Sequence, residues 1–204
     1  MIEVLWHGRG GQGAFTAARL LGAASSFADG SYALAFPSFG PERRGAPMRA
    51  FTKMSREPIG DRSAVNRANY VIYLDDTLLG EGWEDELLPD GKVIVNSVRS
   101  FDDPRIVSID ANGISQEILD RPIPNTALLG ALCSVCDYVS AGDVKRAIEG
   151  YMPAKLIEKN KRVVDAALEA VGKTRAAGVV VKIDESLESQ VIGSVSRETV
   201  EGGS

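Results

Sequence analysis

The stretch Ile2-Glu3-Val4-Leu5-Trp6-His7-Gly8-Arg9-Gly10-Gly11-Gln12-Gly13 is a short apolar run that dissolves into four glycines within six positions. The apolar part predicts a buried parallel strand over 2–7. Ala14 to Phe27 follows, rich in Ala and Leu and free of Pro. It predicts a helix, stopped at Asp29-Gly30 because glycine accepts the left-handed backbone that ends helices. Tyr32 to Phe36 predicts a second strand, halted by Pro37. Strand, glycine turn, helix, strand is a βαβ unit, whose crossover is right-handed.

Working outward, residues 37–47 hold three prolines and two glycines and predict an ordered loop. Met48 to Met54 mixes apolar and basic residues and reads as an edge strand. Tyr70 to Leu74, Val93 to Val95 (after the Pro89-Asp90-Gly91 turn) and Ile106 to Ile109 read as further buried strands. Short apolar strands alternating with helices predict an α/β fold, a three-layer doubly wound sheet. The C-terminal third is helical: 126–138 is apolar nearly all round, and Leu156, Ile157, Asn160, Val163, Val164, Ala167, Leu168 and Val171 repeat at helical spacing. One domain is expected over 1–186, with a loose polar tail over 187–204.

Gly8, Gly10 and Gly13 fit G-x-G-x-x-G between a strand and a helix. Glycines there allow the tight turn and let backbone amides approach an anion, while the helix N-terminus favours negative charge. The same residues also serve if the turn only packs the helix against the strand, so both readings stay open. A dinucleotide site asks next for an acid at the end of the second strand. Ala35-Phe36-Pro37-Ser38 supplies none, which weakens an NAD reading. Pro41-Glu42-Arg43-Arg44-Gly45 follows instead. Two guanidinium groups in a stiffened loop suit a phosphate on a ribose, as in NADP or the 3′-phospho-ADP of coenzyme A. The competing reading is a surface pair partly neutralised by Glu42.

The bulk numbers narrow the classes. With 204 residues, 44% hydrophobic and 25% charged, the chain suits a globular domain. A net charge of −5 argues against a nucleic-acid partner, because no basic excess is present to displace counterions. No signal peptide and no apolar run of membrane-spanning length is visible, and two cysteines make no disulfide framework, so a cytoplasmic location is expected. His7, the single histidine, reads as structural or loop-orienting. Cys133 and Cys136 read as buried thiols inside a helix, since one pair completes neither a zinc site nor a cluster. Asp75, Asp76 and Asn125 read as caps. No catalytic residue and no metal ligand is assigned.

Two segments in combination carry a resemblance. Trp6-His7-Gly8-Arg9-Gly10-Gly11-Gln12-Gly13 with Phe36-Pro37-Ser38-Phe39-Gly40-Pro41-Glu42-Arg43-Arg44-Gly45-Ala46-Pro47-Met48-Arg49-Ala50-Phe51 resembles the gamma subunits of 2-oxoacid:ferredoxin oxidoreductases, the pyruvate branch most of all. Tyr73-Leu74-Asp75 and Pro124-Asn125-Thr126-Ala127-Leu128-Leu129-Gly130-Ala131 extend the match, which covers about residues 1–171. The resemblance implies a Rossmann-like fold and a complex with alpha, beta and delta subunits. That complex decarboxylates a 2-oxoacid to an acyl-CoA and passes electrons to ferredoxin. Thiamine diphosphate and iron–sulfur clusters would lie in the partner subunits. This chain would help hold coenzyme A, through Gly8, Arg9, Gly10, Gly11, Gln12, Gly13, Arg43 and Arg44. Related domains carry lysines at the arginine positions, a change that keeps charge and alters geometry. The alternatives are a free-standing NAD(P)-binding oxidoreductase and a nucleotide-sensing module.

Overall fold

The computed structural model describes residues 1–38 and 44–173, so Arg43, the 186/187 boundary and the expected tail lie outside the described residues. Met1–Val171 is one compact unit. Along it run β1 (Ile2–Arg9), α1 (Ala14–Ser25), β2 (Tyr32–Pro37), β3 (Pro47–Ser55), β4 (Ala68–Tyr73), β5 (Leu87–Asn96) and β6 (Ile106–Ile109). Then come α2 (Ala111–Leu119), α3 (Asn125–Cys133), α4 (Ala141–Tyr151) and, last among the described residues, a helix α5 over 154–173. Two single-turn 3-10 helices, Asp76–Leu78 and Trp83–Glu86, lie between β4 and β5.

The strands form one sheet in the order β2-β3-β1-β4-β5-β6. β1, β4, β5 and β6 are parallel, as their apolar runs predict. β3 is not the edge strand expected from its basic residues. It sits between β2 and β1 and is antiparallel to both, so the first βαβ unit leaves a gap that β3 fills. The charges that suggested an edge are internally paired. The Lys53 side chain is 1% exposed, with Nζ 2.5 Å from Asp61 and 3.2 Å from Glu3. Burial pulls its pKa down, but the two carboxylates outweigh burial and the net direction is up.

Alternation along the strands separates two cores. Val4, Trp6, Ile72, Leu74 and Ile94 face α1, α3, α4 and α5 in the larger one. The Trp6 indole donates to Thr52 Oγ1 (3.1 Å), which donates in turn to the Ala18 carbonyl (3.0 Å), so strand and helix share a satisfied polar link. Leu5, Val71, Tyr73, Val93 and Val95 face the other way, packed with Phe51, Val65, Trp83 and Leu78. The expected α/β sheet with a helical C-terminal part therefore forms, with a thin third layer of loop and 3-10 turns. Helix α3 ends at Cys133, five residues before the predicted limit, and Cys136 lies in the turn that follows.

Helix α3 is buried on every side because α5 crosses it at Gly130. A Cβ at Gly130 would lie 2.6 Å from the Val164 carbonyl oxygen, so glycine sets the helix separation. Thr126 and Asn160, both buried, close the contact with a 2.8 Å hydrogen bond. Gly130→Ala is therefore expected to destabilise the chain by about 1–3 kcal/mol through overpacking. Gly150→Ala, in open space near the end of α4, is expected to be neutral or stabilising by up to about 1 kcal/mol. Denaturant midpoints of the two variants check this, and equal effects would remove the close crossing.

Candidate functional site

The site starts where β1 runs out. Its antiparallel pairing with β3 ends at Arg9↔Pro47, and beyond both strands an isolated parallel bridge joins Gly10 to Arg44. The Gly10 amide donates to the Ala46 carbonyl and the Gly45 amide to the Gly10 carbonyl, each at 3.0 Å. The glycine turn and the Arg44 segment thus lie side by side.

The turn then enters α1 through Gly11 (φ 100°) and Gly13 (φ 85°). Gly13 meets both demands made of a glycine: its backbone is left-handed, and a Cβ there would stand 2.5 Å from the Asn125 amide nitrogen. Asn125 is the first residue of α3 rather than its cap; its Oδ1 accepts from the Thr126 amide while its other end packs on Gly13.

Several predicted residues are consumed by the turn itself. Gln12 Oε1 accepts from the Arg9 amide at 2.7 Å. Arg9 donates from Nε to Asp75 (2.8 Å), from one terminal nitrogen to the Gly45 carbonyl (3.3 Å) and from the other to Thr77 Oγ1 (2.9 Å). Its whole fork ties the glycine turn to the end of β4. Asp75 also caps the first 3-10 helix through the Thr77 amide, as a cap was expected to. Burial alone would raise its pKa, but the Thr77 and Arg9 hydrogen bonds prevail and hold it low. Gly8 is buried, with Ala14 Cβ 3.1 Å from where its own Cβ would be.

What the turn leaves open faces a cleft of about 1290 Å³. Gly10, Gly11, Gly13, Ala14, Phe15 and Thr16 line one side, Arg44 and Ser38 a second. A helix has no internal acceptor for its first amides, so the head of α1 presents donors and a partial positive charge here. The structure brings the glycine turn and Arg44 to one cavity; Arg43 lies outside the described residues.

The third wall was not anticipated. His7 Nε2 lies 2.8 Å from Glu86 Oε2, the Tyr73 hydroxyl donates to the same oxygen at 2.9 Å, and the His7 and Tyr73 rings stack 4.6 Å apart. Arg49 reaches Glu86 Oε1 at 3.5 Å. Burial pushes Glu86 upward, yet contacts with His7, Tyr73 and Arg49 bring its pKa below the ordinary value. Burial and the neighbouring carboxylate push the Tyr73 phenol up. His7 therefore has a partner, in keeping with an orienting role. Strand alternation already put His7, Arg49 and Tyr73 on one sheet face, and His7↔Arg49 and His7↔Tyr73 are register pairs. Glu86 arrives on a 3-10 turn that has no sequence signal.

Elsewhere, Cys133 and Cys136 are unpaired thiols; burial pushes Cys133 to about 12 and raises Cys136 as well. Among the described residues no group of three or more His, Cys, Asp or Glu side chains is placed to hold a metal, and no helix is long and apolar enough to cross a membrane.

A mixed α/β sheet with an anion-suited cleft at the head of its first helix defines the class of domain. The chain belongs to the pyruvate ferredoxin/flavodoxin oxidoreductase family, whose pattern it matches over residues 3–170. It is 43% identical over 182 residues to the pyruvate synthase subunit PorC of Methanothermobacter thermautotrophicus, covering 86% of this chain and 98% of that one. It is 42% identical over 188 residues to the pyruvate/ketoisovalerate oxidoreductases common subunit gamma of Pyrococcus furiosus, covering 85% and 97%. The crystal structure of pyruvate oxidoreductase subunit PORC from Thermotoga maritima superposes with a TM-score of 0.72 at 36% identity, covering 83% of this chain and 96% of that one.

The Glu86 cluster makes a pH prediction. In the unfolded chain Glu86 takes up its proton near the ordinary value of 4.5, and in the folded chain only at lower pH. Within that window the unfolded state binds more protons, so stability falls as pH falls. Glu86→Gln is expected to lose less of its denaturant midpoint than the parent between roughly pH 5.5 and 3. Identical slopes would mean that Glu86 is not held low.

Proposed function

We propose that the chain is the gamma subunit of a 2-oxoacid:ferredoxin oxidoreductase, most like the pyruvate enzyme, and that its cleft holds coenzyme A. The observation that carries this is the Gly10–Arg44 bridge, which sets the Arg44 segment beside the glycine turn, so that Arg44 and the head of α1 line one cavity. Backbone donors, a helix N-terminus and arginine are the groups that bind phosphate esters. A cleft of about 1290 Å³ is large enough for an extended nucleotide.

In this reading the chain binds and orients and carries out none of the redox chemistry. Alpha, beta and delta subunits complete the cytoplasmic assembly and carry thiamine diphosphate and the iron–sulfur clusters; ferredoxin is the electron acceptor. Coenzyme A supplies the thiol that takes the acyl group. Arg44 and the α1 amides hold its phosphates, the Arg9–Asp75 tie keeps the turn in place, and glycine at 11 and 13 keeps the approach open. Pyruvate is favoured as the oxoacid, since both curated relatives above name it, and one of them is shared with the ketoisovalerate enzyme.

The test uses the intact assembly and oxoacid-dependent viologen reduction. Replacing Arg43 and Arg44 together with Ala is expected to raise KM for coenzyme A by roughly ten- to a hundredfold, the effect of losing charge-assisted hydrogen bonds. Subunit composition and thiamine content should stay unchanged. An unchanged KM would overturn the site, and an assembly that falls apart or loses thiamine would make these arginines interface residues and overturn it as well.

A further inference from the structure

The cleft has a second cationic locus besides Arg44, at Arg49. Arg9 and Arg49 are both arginines of this neighbourhood, yet they are spent differently. Arg9 commits all three guanidinium nitrogens to Asp75, Gly45 and Thr77. Arg49 makes one guanidinium contact among the described residues, 3.5 Å to Glu86, and half of its side chain is exposed in the cleft. A guanidinium has five N–H donors, so most of this one remains to be used.

Glu86 fixes the direction of Arg49 without neutralising its whole fork. Its Oε2 is taken by His7 and Tyr73, and only Oε1 faces Arg49. The backbone of Arg49 is fixed as well, paired with His7 in the sheet and accepting from the Ser38 amide at 2.9 Å. Arg44 is five residues away and is fastened to the other locus by Gly10, a separation of at most roughly 17 Å along extended chain. A ligand that satisfies both loci carries two separated anionic groups. A diphosphate suits the amides of α1 with Arg44, and a lone phosphomonoester suits a single oriented guanidinium fork.

We infer that Arg49, oriented by Glu86, is the specificity-determining residue that reads the 3′-phosphate of coenzyme A. This rests on the coenzyme A reading above. It makes the subunit the part of the assembly that separates coenzyme A from its dephospho form.

The experiment measures KM for coenzyme A and for 3′-dephospho-coenzyme A in the intact assembly, for the parent, Arg49→Ala, Arg49→Lys and Arg44→Ala. Arg49→Ala is expected to raise KM for coenzyme A roughly tenfold or more. Its KM for the dephospho form should move by less than about twofold, so the parent's preference collapses. Arg49→Lys should fall between, because it keeps the charge and loses the fork. If Arg49→Ala weakens both nucleotides equally, or neither, while Arg44→Ala weakens both, this inference fails and the coenzyme A site stands. If no variant moves either KM, the site itself fails. Should Arg49→Ala not assemble, the Lys variant decides: an unchanged ratio of the two KM values overturns the inference.

Discussion

The register between β1 and β3 is the constraint on which the site depends. Because the two strands are antiparallel and pair from Ile2↔Met54 to Arg9↔Pro47, the chain that leaves one strand toward the glycine turn meets the chain that enters the other from the arginine loop. Where that ladder ends, the two loops are joined by the separate, parallel Gly10–Arg44 bridge. A slip of one residue would exchange the two faces of β3. Arg49 and Lys53 would then point at the helices, and Ala50, Thr52 and Met54 at the cleft side. The larger core forbids this, because Ala50 and Met54 are fully buried in it and Thr52 links Trp6 to Ala18. Packing on one face of the sheet thereby fixes which charges stand on the other.

The turn itself divides into parts that hold and parts that are left over. Backbone donors at Arg9 and Gly10 are satisfied by Gln12 and Ala46, so they have no capacity for a ligand. The head of α1 keeps its donors because helical geometry gives them no internal partner. A G-x-G-x-x-G spacing cannot distinguish these two groups of amides, since both lie in the same six residues. The distinction arises from what Gln12 and the 44–46 segment do in three dimensions.

Much of the fold was legible in the chain. Apolar runs located β1, β4 and β6, and the helical spacing after 154 located α5, with Val163, Val164, Ala167 and Val171 all buried. The place of β3 was not legible. Its lysine and arginine are typical of a solvated edge, but the carboxylates of Glu3 and Asp61 allow Lys53 inside, and Arg49 stays half exposed beside Glu86, two of these three acids being distant in sequence from their partners. The pairing of Arg44 with the glycine turn followed from motif logic. Asn125 against Gly13 and Glu86 against His7 did not, because contacts across more than 70 residues leave no local pattern.

The unassigned wall of the cleft shows why exposure and charge alone misjudge an arginine. Arg9 sits inside the glycine motif and Arg49 outside it, so that motif favours the former as a ligand contact. Counting donors reverses the order. Arg9, with each nitrogen bonded, is a strut whose removal would loosen the turn from Asp75. Arg49 is held at one corner by a carboxylate that His7 and Tyr73 already occupy, and its half-exposed side chain lines the cavity. Orientation by a partially satisfied acid lowers the conformational freedom that an arginine loses on binding, yet leaves its donors available. Under the proposal made for Arg49, the lone histidine would serve recognition at one remove, by occupying the Glu86 oxygen that would otherwise draw Arg49 fully into an ion pair.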